Sequence, residues 1–427
     1  MKILITGGTG LIGRALAKEL VLRGHQIVVL TRKNTVARSE NLLPFPHEII
    51  EGDLTLNPIP ELAQKGIEAI VHLLGESLGQ RWTTEVKTRI YRSRVDSTEN
   101  LKKSFGAAWD NVRVFVGASS IGYYGDAADK ALNEMSPRGR GFLSELCGDW
   151  EAAQSEIQHM NANLRLVTLR IGLVLAREGG ILRRLLPTFL AHLGGNLGSG
   201  QQWQSWIHVD DLVRLVSTAL EDDRFVGVFN AVSPEPVRNK RVTLELERVL
   251  NVVAITPLPM ALLEMLYGET SDILLMSQRV YPHKAHSLGF SFKYSLLKMA
   301  LQNILGHYRS GEKELVNERY FAESIDAVKA KVLGREGVEA SHRDYQFHIG
   351  KVRLFCRAVL EENPNNDLVI ERQTKGPYKT WSRSVEFRSI GHGVIVKETI
   401  RFGFKMRWLS NLLGAKKIVE QHLQQLN

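Results

Sequence analysis

Thr6-Gly7-Gly8-Thr9-Gly10-Leu11-Ile12-Gly13 stands between an apolar run, Ile3-Leu4-Ile5, and a helical stretch, Leu11–Arg23. A strand, a glycine turn and a helix start are the parts of a cradle for a nucleotide diphosphate. Gly7 permits the tight turn, and Gly10 removes the side chain where backbone must approach the pyrophosphate. Gly13 lets the helix pack close to the strand, and the helix start aims its free N–H groups at the anion. The next apolar run, Ile27-Val28-Val29-Leu30, ends in Thr31-Arg32-Lys33. Sheets that select NAD place an acid there for the ribose hydroxyls, whereas two cations suit a 2′-phosphate through charge-assisted bonds. The cofactor expected is NADP, with NAD the weaker fit. Asp53-Leu54, after the third strand, is placed to meet the adenine. Leu73-Leu74-Gly75, after the fourth, lets the chain pass close to the nicotinamide ribose.

The elements that position these residues follow from the apolar pattern. Ile3–Thr6, Gln26–Leu30, Glu48–Glu51, Ala69–Leu73 and Val112–Ala118 read as strands, and Leu11–Arg23 and Trp82–Phe105 as helices. Strands separated by helices imply parallel pairing and a doubly wound α/β sheet of the Rossmann kind. Val167–Val174 and Gly227-Val228-Phe229-Asn230 add two further strands. Between them Gly179–Trp206, rich in glycine, reads as a ligand-covering insertion. After Pro234 helices are predicted through Leu244–Leu250, Met260–Tyr267 and Leu296–Leu305. Residues 1–233 therefore form a nucleotide-binding domain and residues 234–306 a small helical lobe.

The 427 residues suffice for two or three domains, and 44% apolar with 24% charged residues is ordinary for a globular protein. No apolar stretch is long enough to span a bilayer, and the opening residues already read as a strand rather than a signal peptide. Cys147 and Cys356 are the only cysteines, far apart and without metal-ligand spacing. That predicts a reducing cytoplasm and no metal. The net charge of +9 is spread out, without a basic run interleaved with aromatics. It favours phosphate-bearing ligands over nucleic acid.

Several motifs then converge. Beside Thr6–Gly13 stand His72-Leu73-Leu74-Gly75-Glu76, Arg81-Trp82 with Lys87, Ser93-Arg94-Val95, and Ala118-Ser119-Ser120-Ile121-Gly122-Tyr123-Tyr124-Gly125. Trp150-Glu151, Arg170-Ile171-Gly172-Leu173-Val174-Leu175, Ser205-Trp206-Ile207-His208-Val209-Asp210-Asp211 and Gln278-Arg279-Val280 continue the series. Over roughly residues 1–305 the chain resembles the extended short-chain dehydrogenase/reductase family, in its epimerase-like branch with a small C-terminal lobe. The resemblance implies proton transfer beside the nicotinamide by a Ser or Thr, a Tyr and a Lys, the lysine cation making the phenol a usable base. Ser119 or Ser120 fills the serine role. The Tyr-x-x-x-Lys positions fall near Leu143 and Cys147, and Asp126–Glu156 contains no tyrosine. The remaining acid/base candidates are Tyr123, Glu76 and His208, whereas Tyr124 is expected to pack the strand end. Gly194–Trp203 is the expected substrate-facing loop. Arg81, Lys87 and Arg94 carry charge for a phosphorylated or carboxylated substrate, or are helix-surface cations.

Residues 312–427 lie outside that likeness. A strand (Glu314–Phe321), a helix (Ser324–Val332) and antiparallel strands (Tyr345–Phe355, Asp367–Arg372, Ser384–Phe387, Val394–Phe402) precede a terminal amphipathic helix, Met406–Leu426. This order resembles the helix-grip fold of START-like domains, which implies an α+β module with a cavity for a hydrophobic ligand. The alternative is a solid-cored appendage for docking or for homodimer formation. Two functions are in view: an NADP-dependent oxidoreductase or epimerase acting on a small polar, nucleotide-linked substrate, and a catalytically silent NADP-binding regulator.

Overall fold

Ile3, Leu4 and Ile5 are all fully buried, as a strand must be when helices cover both faces of a parallel sheet. They belong to β1 (Lys2–Thr6). The sheet is completed by β2 (Gln26–Thr31), β3 (Glu48–Glu51), β4 (Ala69–His72), β5 (Val114–Ser120), β6 (Arg165–Ile171) and β7 (Gly227–Ala231). The computed structural model describes residues 1–32, 42–177, 179–253, 273, 275–309, 313–333, 342–349, 352–363, 368–375, 378–391 and 393–404. The seven strands are all parallel, in the order β7-β6-β5-β4-β1-β2-β3. The winding reverses between β1 and β4, and in such sheets a ligand crevice opens there beyond the carboxyl ends of the strands. This is the doubly wound α/β sheet expected from the sequence.

Helices α1 (Leu11–Leu22), α2 (Thr84–Arg92), α3 (Val95–Phe105), α4 (Phe142–Ser155), α5 (Gly180–Leu190), α6 (Val209–Glu221), α7 (Asn239–Leu250) and α8 (Leu297–Arg309) accompany the sheet. Leu101 and Phe105 of α3 pack onto Leu4, Val28, Ile70 and Phe115. Two expectations are corrected here. Trp82–Phe105 is two helices, because the chain turns at Ser93-Arg94. There the Ser93 hydroxyl accepts the amide of Glu76 at 2.8 Å, a partner seventeen residues away that no local pattern reveals. Val167–Val174 likewise divides at Gly172. Leu173–Leu175 leaves the sheet to pair with Trp206–His208, and a Cβ on Gly172 would lie 2.6 Å from the Ser205 carbonyl. Within the glycine-rich insertion lies α5, with Pro187 inside it. The expected helix Met260–Tyr267 lies outside the described residues.

The chain divides into two compact units, Met1–Ile304 and Leu305–Asn427. The second holds β8 (Lys313–Phe321), α9 (Ile325–Leu333), β9 (His342–Ile349), β10 (Val352–Asn363), β11 (Leu368–Lys375), β12 (Tyr378–Ile390) and β13 (Gly393–Phe404). These six strands form one antiparallel sheet in the order β8-β13-β12-β11-β10-β9. The first strand therefore lies against the last, from Lys313 opposite Phe402 to Phe321 opposite Val394. Tyr345–Phe355, read as one strand, is a β9–β10 pair, with Gly350 in the sequence between them. Val328, Val332 and Leu333 of α9 pack on Val369, Val385, Phe387, Val394 and Val396. Further along β12, the buried Arg383 bonds the buried carboxylates of Glu371 (3.2 Å) and Glu398. The expected terminal helix Met406–Leu426 lies outside the described residues.

Candidate functional site

Gly7 turns the chain with φ +71°, and a Cβ there would sit 2.8 Å from the Leu73 carbonyl, so β1 leaves the sheet hard against the end of β4. Gly13 is closed in more tightly, since its Cβ would meet the Gly7 carbonyl at 2.3 Å and the Gly8 Cα at 2.7 Å. The first turn of α1 thus seats on the glycine turn itself. Gly10 is different. It is exposed, and its Cβ would touch only the Gly7 carbonyl, at 3.1 Å. Open space over Gly10, beside a helix start with neither a capping side chain nor an acidic residue in its first turn, fits a pyrophosphate. Thr9, Leu11 and Ile12 are half-buried around this opening. Gly179, just before α5, would place a Cβ 3.2 Å from the Leu11 side chain, so the substrate-side insertion borders the cradle.

Along the rest of the crevice the sequence-predicted residues fare unevenly. Thr31 is buried at the end of β2, and Arg32 is exposed beyond it; Lys33 lies outside the described residues. Asp53 is half-buried, and its Oδ1 accepts the amide and hydroxyl of Thr55 at 2.9 and 2.6 Å. The Leu54 side chain is fully buried in the core, which leaves only its backbone to meet an adenine. Leu73 and Leu74 are half-buried, Leu74 packing against that same core, while Gly75 is exposed.

Past Gly75 the structure brings together residues from three elements. A Cβ on Gly75 would lie 3.1 Å from Nη2 of Arg94. The Arg94 guanidinium donates to the carbonyls of Glu76 (3.1 Å) and Ile90 (3.2 Å) and to the Ser93 hydroxyl (3.2 Å), and lies 5.3 Å from the Trp150 ring of α4. Burial lowers its pKa to about 10. Cys147, one turn before Trp150, is buried, and burial pushes its thiol up to about 12, which makes it a packing residue rather than a nucleophile.

Ser119 and Ser120, equivalent in the sequence, are separated by their surroundings. Ser119 is buried and donates to Glu151 Oε1 at 2.6 Å, so its proton is committed. Ser120 is half-buried at the end of β5, and its Oγ accepts the Gly122 amide at 3.1 Å, which leaves its hydroxyl proton free to donate. Behind Ser119, Arg170 holds both Glu151 oxygens at 2.8 Å and donates to the Tyr124 hydroxyl at 3.0 Å; Tyr124 in turn donates to Asn230 at 2.7 Å. Tyr124 thus locks the strand ends together. Sequence reasoning missed Glu151 as a partner of this site; the signal that could have found it is its helical spacing, four residues beyond Cys147 and eight beyond Leu143 on one face of α4.

The other acid/base candidates are placed elsewhere. Tyr123 has its ring 3.4 Å under the Arg170 guanidinium carbon, and with Glu151, Ser155, Thr168 and Gly227 it lines an open cleft of about 440 Å³. Glu76 accepts from Gln80 at 2.9 Å. His208 caps α6 by accepting the Asp210 amide at 3.1 Å and stacks on Tyr294 at 3.9 Å, a brace rather than a reactive group. In the expected substrate loop, the Trp203 indole donates to Asp129 at 2.8 Å, and the guanidinium groups of Arg238 and Arg279 lie 4.5 and 4.6 Å from its ring. Trp203 is therefore spent on internal contacts. Arg184 of α5 instead crosses Gly79, 2.2 Å from where a Cβ would stand, and so α5 and the loop after β4 bracket the crevice.

A glycine cradle at the switch point of a doubly wound sheet defines a dinucleotide-binding α/β domain. The chain matches the model of the NAD dependent epimerase/dehydratase family over residues 3–231, and that of a domain of unknown function, DUF1731, over residues 258–304. It belongs to the NAD-dependent epimerase/dehydratase family. It is 37% identical over 310 residues to the chloroplastic epimerase family protein SDR39U1 homolog of Arabidopsis thaliana, covering 71% of this chain and 87% of that one. An epimerase family protein of Mycobacterium leprae is 35% identical over 301 residues, 70% and 94% of the two chains. The crystal structure of human epimerase family protein SDR39U1 (isoform 2) with NADPH superposes with a TM-score of 0.62 at 31% identity, over 71% of this chain and 99% of that one. A nucleoside-diphosphate sugar epimerase from Corynebacterium glutamicum gives 0.58 at 31% identity, over 72% and 58%. Among the described residues no helix is long and apolar enough to cross a membrane.

Proposed function

We propose that this chain is an NADP-dependent oxidoreductase or epimerase of the extended short-chain dehydrogenase/reductase type, acting on a small polar, nucleotide-linked substrate. The observation that carries the reading is the open cradle over Gly10 combined with the strand end Thr31-Arg32, where a cation stands in place of a carboxylate. The human relative whose structure holds NADPH supports it. Gly7 to Gly13 would hold the pyrophosphate, Thr31 and Arg32 the adenosine ribose and its phosphate, Asp53 the adenine edge, and Leu73 to Gly75 the far ribose. When bound, the nicotinamide supplies hydride transfer. Ser120 donates a hydrogen bond to a substrate oxygen, since its Oγ accepts from the Gly122 amide and its O–H is left to give. Ser119 and Glu151 fix the strand end behind it. With leucine and cysteine at the Tyr and Lys positions, the site polarises a substrate oxygen by hydrogen bonding rather than through a phenolate base.

Isothermal titration with NADPH and NADH tests this reading. Arg32→Glu should weaken NADPH about 10- to 100-fold, the worth of charge-assisted bonds, and leave NADH nearly unchanged. Gly10→Val would set a Cβ 3.1 Å from the Gly7 carbonyl and a branched side chain in the pyrophosphate's place, and should abolish both. A folded wild-type protein that binds neither nucleotide sinks the proposal.

For the second unit we infer a START-like helix-grip module for a hydrophobic ligand. The order of strand, helix and five antiparallel strands, with α9 packed on an apolar sheet face, supports this. Native mass spectrometry of the full chain mixed with a fatty acid should detect a one-to-one adduct, and its absence counts against the inference.

A further inference from the structure

The family pattern has lost its lysine here, yet a cation still stands at the same end of the crevice. The lysine position falls near Cys147, and the α4 face that carries Cys147 and Trp150 is met by Arg94, 5.3 Å from the Trp150 ring. The break between α2 and α3 makes this approach feasible, since Arg94 sits at the turn instead of along a continuous helix surface. Three carbonyl or hydroxyl oxygens pin the guanidinium, two through Nη1 and one through Nη2. Among the described residues no ion pair to a carboxylate is formed by it, although the nearby Glu76 carboxylate favours its charge. A guanidinium has five N–H groups, so Nε–H and one Nη2–H remain to be used. Nη2 is the atom 3.1 Å from where a Gly75 Cβ would stand, at the exposed end of β4.

We infer that Arg94 replaces the missing lysine as the cation of the nicotinamide end, donating from its planar fork to the two adjacent hydroxyls of the nicotinamide ribose. This rests on the NADP reading of the cradle. A dinucleotide laid from Arg32 across Gly10 reaches β4 and β5 with its second ribose, which is where Gly75 leaves backbone bare and Arg94 stands beside it. Glycine at 75 is then needed on two counts, because any side chain there would press on the guanidinium and fill the space of the ribose. Three acceptors already hold the guanidinium in place, and a diol can take its remaining N–H groups without cancelling the charge.

The test separates the two halves of the cofactor. Titrate the full chain with NADPH and with adenosine 2′,5′-bisphosphate, which lacks the nicotinamide ribose. Arg94→Met should weaken NADPH about 10- to 100-fold and leave the bisphosphate within about 2-fold of wild type, which also shows that the cradle is folded. Arg94→Lys should recover part of the loss. Arg94→Met binding NADPH as tightly as wild type overturns the inference, and so does an equal loss of both ligands, which would make Arg94 merely structural. If wild type binds neither ligand, the cofactor reading beneath it has failed instead.

Discussion

Arg170→Met should cost the first unit about 3–5 kcal/mol of stability, read as a fall in the urea midpoint of the full chain's first unfolding transition. Arg170 is buried and holds Glu151 with two bonds of 2.8 Å, while its third donor meets Tyr124 at 3.0 Å. Methionine fills similar volume but leaves the Glu151 carboxylate uncompensated beside Ser119, and an unpaired buried charge is the costly case. The double variant Arg170→Met, Glu151→Gln should recover part of the loss, since it removes the orphaned charge; a double loss equal to the sum of the singles would mean that the pair does not act as one unit. Arg170 lies behind Ser119 rather than in the crevice, so folded Arg170→Met should keep NADPH affinity within about 3-fold, the effect expected away from a contact.

The second large effect is acid sensitivity from His72. Its ring is fully buried at the end of β4, with Nδ1 2.8 Å from the Thr6 hydroxyl and Nε2 3.1 Å from that of Thr98. Burial lowers its pKa from 6.5 to about 3. Between those values the unfolded chain binds a proton that the folded chain refuses, so stability rises with pH and is lost on acidification from 6.5 towards 3. The slope contributed by one such group is about 1.4 kcal/mol per pH unit. His72→Gln keeps polar partners for both threonines and has no proton to gain. Urea midpoints at pH 6, 5 and 4 should fall more steeply in wild type than in the variant, and parallel slopes would remove His72 as the cause.

The sequence was most informative where a residue's role is set by its neighbours in the chain. The glycine cradle, the inner strands and Tyr124 as a strand-end residue are of this kind, because turn geometry and strand alternation are local properties. It was least informative where a distant partner decides. Nothing around Ser93 announces that its hydroxyl will take the Glu76 amide and break a helix, and without that break Arg94 looks like one more surface cation. Ser119 and Ser120 are indistinguishable by type. Glu151 on one side and Gly122 on the other set them apart. Trp203 had the chemistry of a ligand platform, but Arg238, Arg279 and Asp129, all remote in sequence, take up its ring and its N–H.

The pairing of β8 with β13 has a consequence for the time course of synthesis. Every other strand of the second sheet meets a neighbour made within a few dozen residues, but β8 is finished at Phe321 and its partner is complete only at Phe404. At ribosomal rates of about 5–20 residues per second, that interval lasts roughly 4–17 s. Throughout it β8 leaves the ribosome as a strand without its neighbour, while the first unit, whose strands are already made, has time to close. The edge of β8 is therefore open to mispairing for longer than any other strand of that sheet.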